Sequence, residues 1–325
     1  MTRAVAYIGT PGYLFHTMLS AAQAVRRVDH DTQVHVVALT QPGVAEAELS
    51  VMAGVAQAHG VIMHRVGRDL LGGLSPVFGR LFLDEVLPAD VDTVLYLDCD
   101  TQIRGPLSPL LDHTLERGRL AAVRDPMAAI RRTHRSLRRR IDQAWDAAGI
   151  PVQARAGYVN AGMLLFHRAD LAGFRERALA ANAERGARFT FLDQDALNTA
   201  LWDVIDHVGL EWNYPGFLLG VDWPTRDAAR VVHYMSDPRP WHGSYRPWGA
   251  ESHRPYAELV RRHPELAPYW DRPGATRALR NHAQQLYKAC TEGRHWRSAP
   301  FRAALDQVYP GLEPRVPSPA SGPGR

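Results

Sequence analysis

Over the first 235 positions, short apolar runs alternate with longer segments whose apolar residues recur at helical spacing. Residues 5–8 form one such run, stopped by Gly9, Thr10, Pro11 and Gly12, and Leu14, Met18, Ala21, Ala22 and Val25 then mark a helix over 13–28. The alternation repeats with a strand at 34–39, a helix at 44–58, a strand at 61–66, and a helix near 75–87 that Pro88 closes. Residues 91–97 (VDTVLYL) carry the strongest strand pattern in the chain. A weaker strand at 120–123 precedes a basic helix at 128–148, and MLLF at 163–166 reads as a further buried strand. Helices follow near 170–185 and 194–203. This order predicts an α/β fold, a mainly parallel sheet with helices on both faces.

The texture changes after residue 236. Pro238, Pro240, Trp241, Pro247 and Trp248 predict a rigid loop, 255–310 reads as helical, and 311–325 reads as a disordered tail rich in Pro, Gly and Ser.

Composition narrows the possibilities without choosing among them. The 325 residues carry 38 Lys+Arg against 34 Asp+Glu, too mild an excess for a nucleic-acid binder, which concentrates positive charge on one face. Cys99 and Cys290 are the only cysteines, which excludes a disulfide scaffold and a cysteine-rich zinc site. The first residues lack the apolar stretch of a signal peptide, and no apolar run approaches the ~18–20 residues of a membrane span. The expectation is a reduced, cytoplasmic protein.

Chemistry concentrates where the strongest strand ends. Asp98 and Asp100 follow VLYL directly, and ligands of open α/β sheets bind beyond the carboxyl ends of the strands. Two carboxylates two residues apart repel each other, and a divalent cation with hard oxygen ligands, Mg²⁺ or Mn²⁺, relieves that repulsion. A metal-free strand-end turn explains the pair equally well. An aspartate-nucleophile phosphatase is the third option. It is disfavoured because Gln102 stands where that pattern has Thr or Val, and no downstream acidic pair follows.

With further segments added, the chain resembles the family 8 retaining glycosyltransferases, the group of glycogenin and the bacterial lipopolysaccharide galactosyltransferases. VLYLDCDTQIRGPLSPL (94–110), YVNAGMLLFH (158–167), FLDQDALNTAL (191–201) and VVHYMSDPRPWHG (231–243) carry the likeness in the family's order, with RPWGAE (246–251) as a weaker match. The resemblance implies a GT-A fold, a Rossmann-like nucleotide half joined to an acceptor half, with a UDP-sugar donor and Mn²⁺, or alternatively Mg²⁺. It divides the chain into a catalytic domain at 1–251 and a helical extension at 252–310, before the tail. Within the catalytic domain, about 1–125 would bind nucleotide and about 126–251 donor sugar and acceptor.

Residue by residue, the resemblance makes Asp98, Asp100 and His233 the metal ligands, with Asp98 also touching the donor. Thr10 and Tyr13 fall where the family grips uracil, and Arg80 matches an arginine that reaches the donor's phosphate or sugar. Asp125, Asn160, Ala161, Asp193 and Gln194 match positions around the donor sugar, and Gly162 allows close backbone approach to a ligand. Asp193 would equally serve as a helix N-cap. Arg239 stands where relatives have lysine, a change that keeps the charge and adds bidentate geometry at the leaving diphosphate.

The implied activity is retaining transfer of glucose or galactose from UDP to an unidentified acceptor: a saccharide, a lipid-linked glycan, a small molecule or a protein. Gln194, Asp193 and Arg239 are the catalytic candidates, with same-face attack by the acceptor. The alternative is a non-catalytic sugar-nucleotide binder of the same fold. Two features stay open. Six arginines in 131–140 form either a solvated face or a docking face for an anionic acceptor or partner. The basic, aromatic stretch 277–302 either contacts a membrane peripherally or packs back through Leu279, Leu286 and Tyr287.

Overall fold

A computed structural model describes residues 2–221, 223 and 228–309; the tail expected at 311–325 lies outside them. In chain order the elements are β1 (Thr2–Gly9), α1 (Leu14–Val25), β2 (Thr32–Thr40), α2 (Glu46–Ala58), β3 (Ile62–Gly67), α3 (Leu83–Val86), β4 (Val91–Leu97), β5 (Thr101–Ile103), α4 (Ser108–Leu111), β6 (Leu120–Arg124), α5 (Met127–Thr133) and α6 (Arg135–Ala148). They continue with β7 (Val159–His167), α7 (Leu171–Arg185), α8 (Leu192–Ala200), β8 (Ile205–Val208), β9 (Tyr214–Pro215), β10 (Val231–His233), α9 (Gly249–Arg262), α10 (Ala275–Thr291), α11 (Gly293–Trp296) and α12 (Ala299–Val308).

Seven strands form the main sheet in the order β3-β2-β1-β4-β7-β6-β8. The pairs β3–β2, β2–β1, β1–β4 and β6–β8 are parallel, while β7 runs antiparallel between β4 and β6. Period-two burial explains why the sheet is covered on both faces. Val5, Tyr7, Leu95 and Leu97 join α1 and α2 in one core, whereas Ala4, Ala6, Val94 and Tyr96 join α7 and α8 in the other. The expected α/β class with a mainly parallel sheet is the class observed.

Several predicted elements differ in detail. The helix expected at 75–87 is a 3-10 turn over Pro76–Phe82 followed by the single turn of α3. The basic helix expected at 128–148 is two helices, because the His134 backbone is extended and its ring accepts the Leu137 N–H as the N-cap of α6. Its arginines therefore do not share one helical projection; Arg131 pairs with Asp142, while Arg132, Arg135, Arg139 and Arg140 are solvent-exposed. The helical stretch 255–310 is divided among α9 to α12. Packing back through Leu279, Leu286 and Tyr287 does not occur. α10 turns Asn281 and Gln285 inward and leaves that trio exposed, while α12 inserts Phe301 and Leu305 into the core and packs on α5. Among the described residues no helix is long and apolar enough to cross a membrane.

A second, three-stranded sheet, β5-β10-β9, completes the fold. In it β10 is antiparallel to β5, with His233 opposite Thr101, and parallel to β9. This pairing brings residue 233 beside the turn that leaves β4.

Candidate active site

The chain turns sharply after β4. The Asp98 N–H donates to the Gly162 carbonyl (2.9 Å), and the Thr101 hydroxyl donates back to the Asp98 carbonyl (2.8 Å). The Asp100 carbonyl accepts the Tyr234 N–H at 3.0 Å, which fixes β10 against the turn. As a result His233 Nε2 stands 3.0 Å from Asp100 Oδ1 and 3.6 Å from Asp98 Oδ2. Neighbouring ligands on an octahedral ion with bonds near 2.1 Å are ~3 Å apart, so the 3.0 Å separation matches an edge of such a shell and the 3.6 Å one is somewhat longer.

One ligand atom from each of the three residues lies within 4.8 Å of the others. Two carboxylate oxygens and an imidazole suit Mn²⁺, with Mg²⁺ less favoured by the nitrogen. Gly162 supplies an independent sign of fit. A Cβ there would fall 2.6 Å from His233 Nδ1 and closer still to Cε1, so the ring's position requires glycine. Sequence reasoning gave that close approach to a ligand; the structure gives it to His233.

Charge around this point is dense and largely buried. Burial favours the neutral form of Asp100, but His233 and Arg239 outweigh it and hold the carboxyl well below its usual range. Burial likewise opposes a charged His233, yet Asp100 and Asp98 push its ionisation upward. Arg239 donates to both Asp100 and the Tyr234 carbonyl, and its Nε approaches Asp237 at 3.4 Å.

Arg80 is only 6% exposed and committed to the protein on every side. Nη2 pairs with Asp98 Oδ1 (3.0 Å), Nε faces Asp193 Oδ2 (3.0 Å) and the Val77 carbonyl (3.1 Å), and Nη1 donates to the Ala161 carbonyl. In this arrangement Arg80 clamps two acidic side chains, Asp98 and Asp193. Burial raises the Asp193 carboxyl to about 6 despite Arg80. Asp193 does not cap α8; Asp195 accepts the Thr190 and Phe191 N–H groups instead (2.7 and 2.9 Å).

Deeper in the site, buried amides and carboxylates form one network. Asp125 takes the Met127 N–H on Oδ1 (2.9 Å) and Asn160 Nδ2 on Oδ2 (3.1 Å). Gln194 Oε1 accepts from Asn160 Nδ2 (3.0 Å) and the Ala161 N–H (3.2 Å), while its Nε2 donates to Tyr158 (3.1 Å). Asn213, a residue the sequence patterns did not single out, links Asn160 to His233, with contacts of 2.9 Å on each side. Its only sequence signal is a lone amide between Trp212 and Tyr214, both of which are buried.

Thr10 and Tyr13 sit apart from this network. They follow β1, the neighbour of β4, so they share the carboxyl-end edge of the sheet. The Thr10 carbonyl accepts the Tyr13 N–H at 2.9 Å, and the Tyr13 ring is 54% exposed, available to a ligand and not packed in the core. Trp241 is core, stacked 3.8 Å from His16. Trp248 belongs to the same core and also helps line a cavity of about 800 Å³ that includes Ile130, Phe217, Ser236, Arg246 and Trp296.

With this geometry in hand, comparisons with known proteins agree. The model of glycosyl transferase family 8 matches residues 74–244. A lipopolysaccharide 1,3-galactosyltransferase of Salmonella typhimurium (strain LT2) is 28% identical over 181 residues, 53% of this chain and 49% of the relative, so the match spans about half of that protein's length. The galactosyltransferase LgtC, solved with donor and acceptor sugar analogues, superposes with a TM-score of 0.60 at 22% identity, covering 80% of this chain and 96% of LgtC. The bifunctional glycosyltransferase WbbM gives a TM-score of 0.65 at 18% identity, covering 83% of this chain and 51% of WbbM. At such identities these two structures speak to the fold alone.

Proposed function

Because the chain belongs to glycosyl transferase family 8 and is a glycosyltransferase, we propose that it transfers a hexose, galactose or glucose, from UDP to an acceptor with retention at the anomeric carbon. The observation that carries this reading is the convergence of Asp98, Asp100 and His233 beside Arg239, at the edge of the sheet where ligands bind. Galactose is the first donor to test, since the Salmonella relative is a galactosyltransferase.

Asp98, Asp100 and His233 would hold Mn²⁺, or Mg²⁺ in its place. When bound there, the ion offsets the charge that grows on the diphosphate as UDP leaves. Arg239 contributes on the same side. Nη1 and Nε are held by Asp100, Tyr234 and Asp237, and Nη2, which has no partner among the described residues, is the donor left for a β-phosphate oxygen. Arg80 acts one step back, holding Asp98 and Asp193 in fixed orientations.

Retention without a covalent intermediate suits the remaining groups. Gln194 is an amide whose oxygen is already occupied, and Asp193 faces the Arg80 guanidinium with its ionisation raised to about 6. Neither is an unencumbered nucleophile. Asp193 Oδ2 is buried against Arg80 Nε at 3.0 Å and makes no further well-directed hydrogen bond among the described residues. Attack by the acceptor on the face UDP vacates, through an oxocarbenium-like state, requires only that Asp125, Asn160, Asp193 and Gln194 fix the sugar. The cavity lined in part by Ser236, which lies between Tyr234 and Arg239 in the chain, is of ligand-binding size and is the seat we assign to the acceptor.

The test is UDP release from UDP-galactose and UDP-glucose, with Mn²⁺ and after chelation. Release confined to the Mn²⁺-containing reactions, with one donor preferred, is expected. Equal release after chelation, or none from any UDP-hexose, would overturn the reading.

A further inference from the structure

A histidine binds a metal through an unprotonated ring nitrogen, so His233 must carry its proton on Nδ1 if Nε2 faces the ion. Hydrogen-bond logic in the buried network shows how that choice is made. Asp125 Oδ2 lies 3.1 Å from one end of the Asn160 amide, and an ionised carboxylate only accepts, so that end is Nδ2. The other end lies 2.9 Å from the Gly162 N–H, which only donates, so it is Oδ1. Both neighbours demand the same orientation.

The same Asn160 Oδ1 stands 2.9 Å from one end of the Asn213 amide, which must therefore be Nδ2. The opposite end, Oδ1, stands 2.9 Å from His233 Nδ1 and can only accept there. Nδ1 consequently bears a proton whether the ring is charged or neutral, and Nε2, turned toward Asp100 and Asp98, is the nitrogen that gives up its proton when a metal binds. Asn160, Asn213 and His233 are 7, 1 and 4% exposed, which leaves water little access to substitute for any member. Strand pairing makes the reach short: β9 begins directly after Asn213 and runs parallel to β10, with Tyr214 beside Val232 and Pro215 beside His233.

We propose that Asn213 is a positioning residue that locks His233 in the Nδ1–H tautomer and so makes Nε2 a metal ligand. The proposal rests on the reading of His233 as a ligand, and it assigns to Asn213 a task that no catalytic group performs. Outer partners of ligating histidines typically change metal affinity by ~10–100-fold when removed.

Mn²⁺ affinity, read by electron paramagnetic resonance of the free ion in the presence of UDP without a donor sugar, tests it. Asn213→Leu is expected to weaken binding ~10–100-fold. Asn213→Asp keeps an acceptor toward Nδ1 but loses the donor to Asn160 Oδ1, so it is expected to bind more tightly than Asn213→Leu and more weakly than wild type. The pair Asn213→Leu with His233→Ala should bind no more weakly than His233→Ala alone, because Asn213 acts only through the ring. Weakened binding in His233→Ala but wild-type binding in Asn213→Leu would overturn the Asn213 assignment. Wild-type binding in His233→Ala would instead overturn the metal-site reading beneath it. Should Asn213→Leu fail to fold, ¹⁵N spectra of the wild-type ring with Mg²⁺ and UDP decide: a proton on Nδ1 is expected, and a proton on Nε2 overturns the proposal.

Discussion

Gly162 and His233 occupy one another's space: a Cβ on the glycine would stand 2.6 Å from His233 Nδ1 and 2.9 Å from Asn160 Oδ1. The Gly162 carbonyl also accepts the Asp98 N–H at 2.9 Å. One backbone position thus sets the distance between the acidic turn after β4 and the imidazole of β10. Gly162→Ala must push the ring away, since the backbone on the other side is tied to the sheet. Overpacking of this kind costs ~1–3 kcal/mol, and it should move His233 off the carboxylates. The expected outcome is a folded protein with a modestly lower Tm and Mn²⁺ affinity at least ~10-fold weaker, comparable with His233→Ala. Wild-type Mn²⁺ affinity in Gly162→Ala would show that the ring's placement does not matter.

The ionisation of His233 predicts opposite pH trends for stability and for metal binding. Its folded-state pKa is raised above the ordinary value near 6.5. The stabilisation this gives the metal-free protein is therefore complete below ~6.5 and is lost as pH rises through the higher folded value. Mn²⁺ must displace that proton, so its affinity should rise with pH over the same window. Melting of chelated protein and Mn²⁺ titration between pH 6 and 9 should show these opposed trends. His233→Ala should flatten both.

In the proposed mechanism Asp193 should separate stability from activity. Burial raises its carboxyl to about 6, so its favourable contribution is full below the unfolded value near 4 and lost as pH rises through about 6. At pH 7.5 its charge is tolerated through Arg80 at a net cost to the fold. Asn at this position removes that cost and leaves the Arg80 clamp one-sided. Asp193→Asn should melt no lower than wild type at pH 7.5 and lose ~100-fold or more in kcat. A large fall in Tm at that pH, with activity retained, would reverse the roles.

How much of this was legible beforehand depended on element length. The run 91–97 announced β4 because seven residues suffice for a period to show, and Asp98 and Asp100 came with it. The strands that complete the site, β5, β9 and β10, have two or three residues, too few for periodicity to register. His233 was found through its H-Y-x-x-x-x-R-P-W context, not through any strand pattern. Asn213 carried no such context, since its role exists only once β9 lies against β10. The arginine-rich segment misled in the opposite way: good helix formers read straight through His134, whose ring ends one helix by capping the next. On α10 the apolar residues Leu279, Leu286 and Tyr287 point outward, and α12 supplies Phe301 and Leu305 to the core.

Arg239 distinguishes a cation from a fork. It touches Asp100 and the Tyr234 carbonyl through Nη1, so in the proposed role a second nitrogen would meet the departing diphosphate. A lysine offers one ammonium and can serve either partner but not both in the same geometry. Arg239→Lys should therefore keep part of kcat, and Arg239→Ala should lose more. In both, kcat should fall further than KM for the UDP-sugar changes, because the contact strengthens as charge develops on the leaving group. Steady-state kinetics with saturating Mn²⁺ resolve the two effects. If KM alone rises in Arg239→Ala while kcat stays at the wild-type value, the guanidinium binds the donor in its ground state and does not assist its departure.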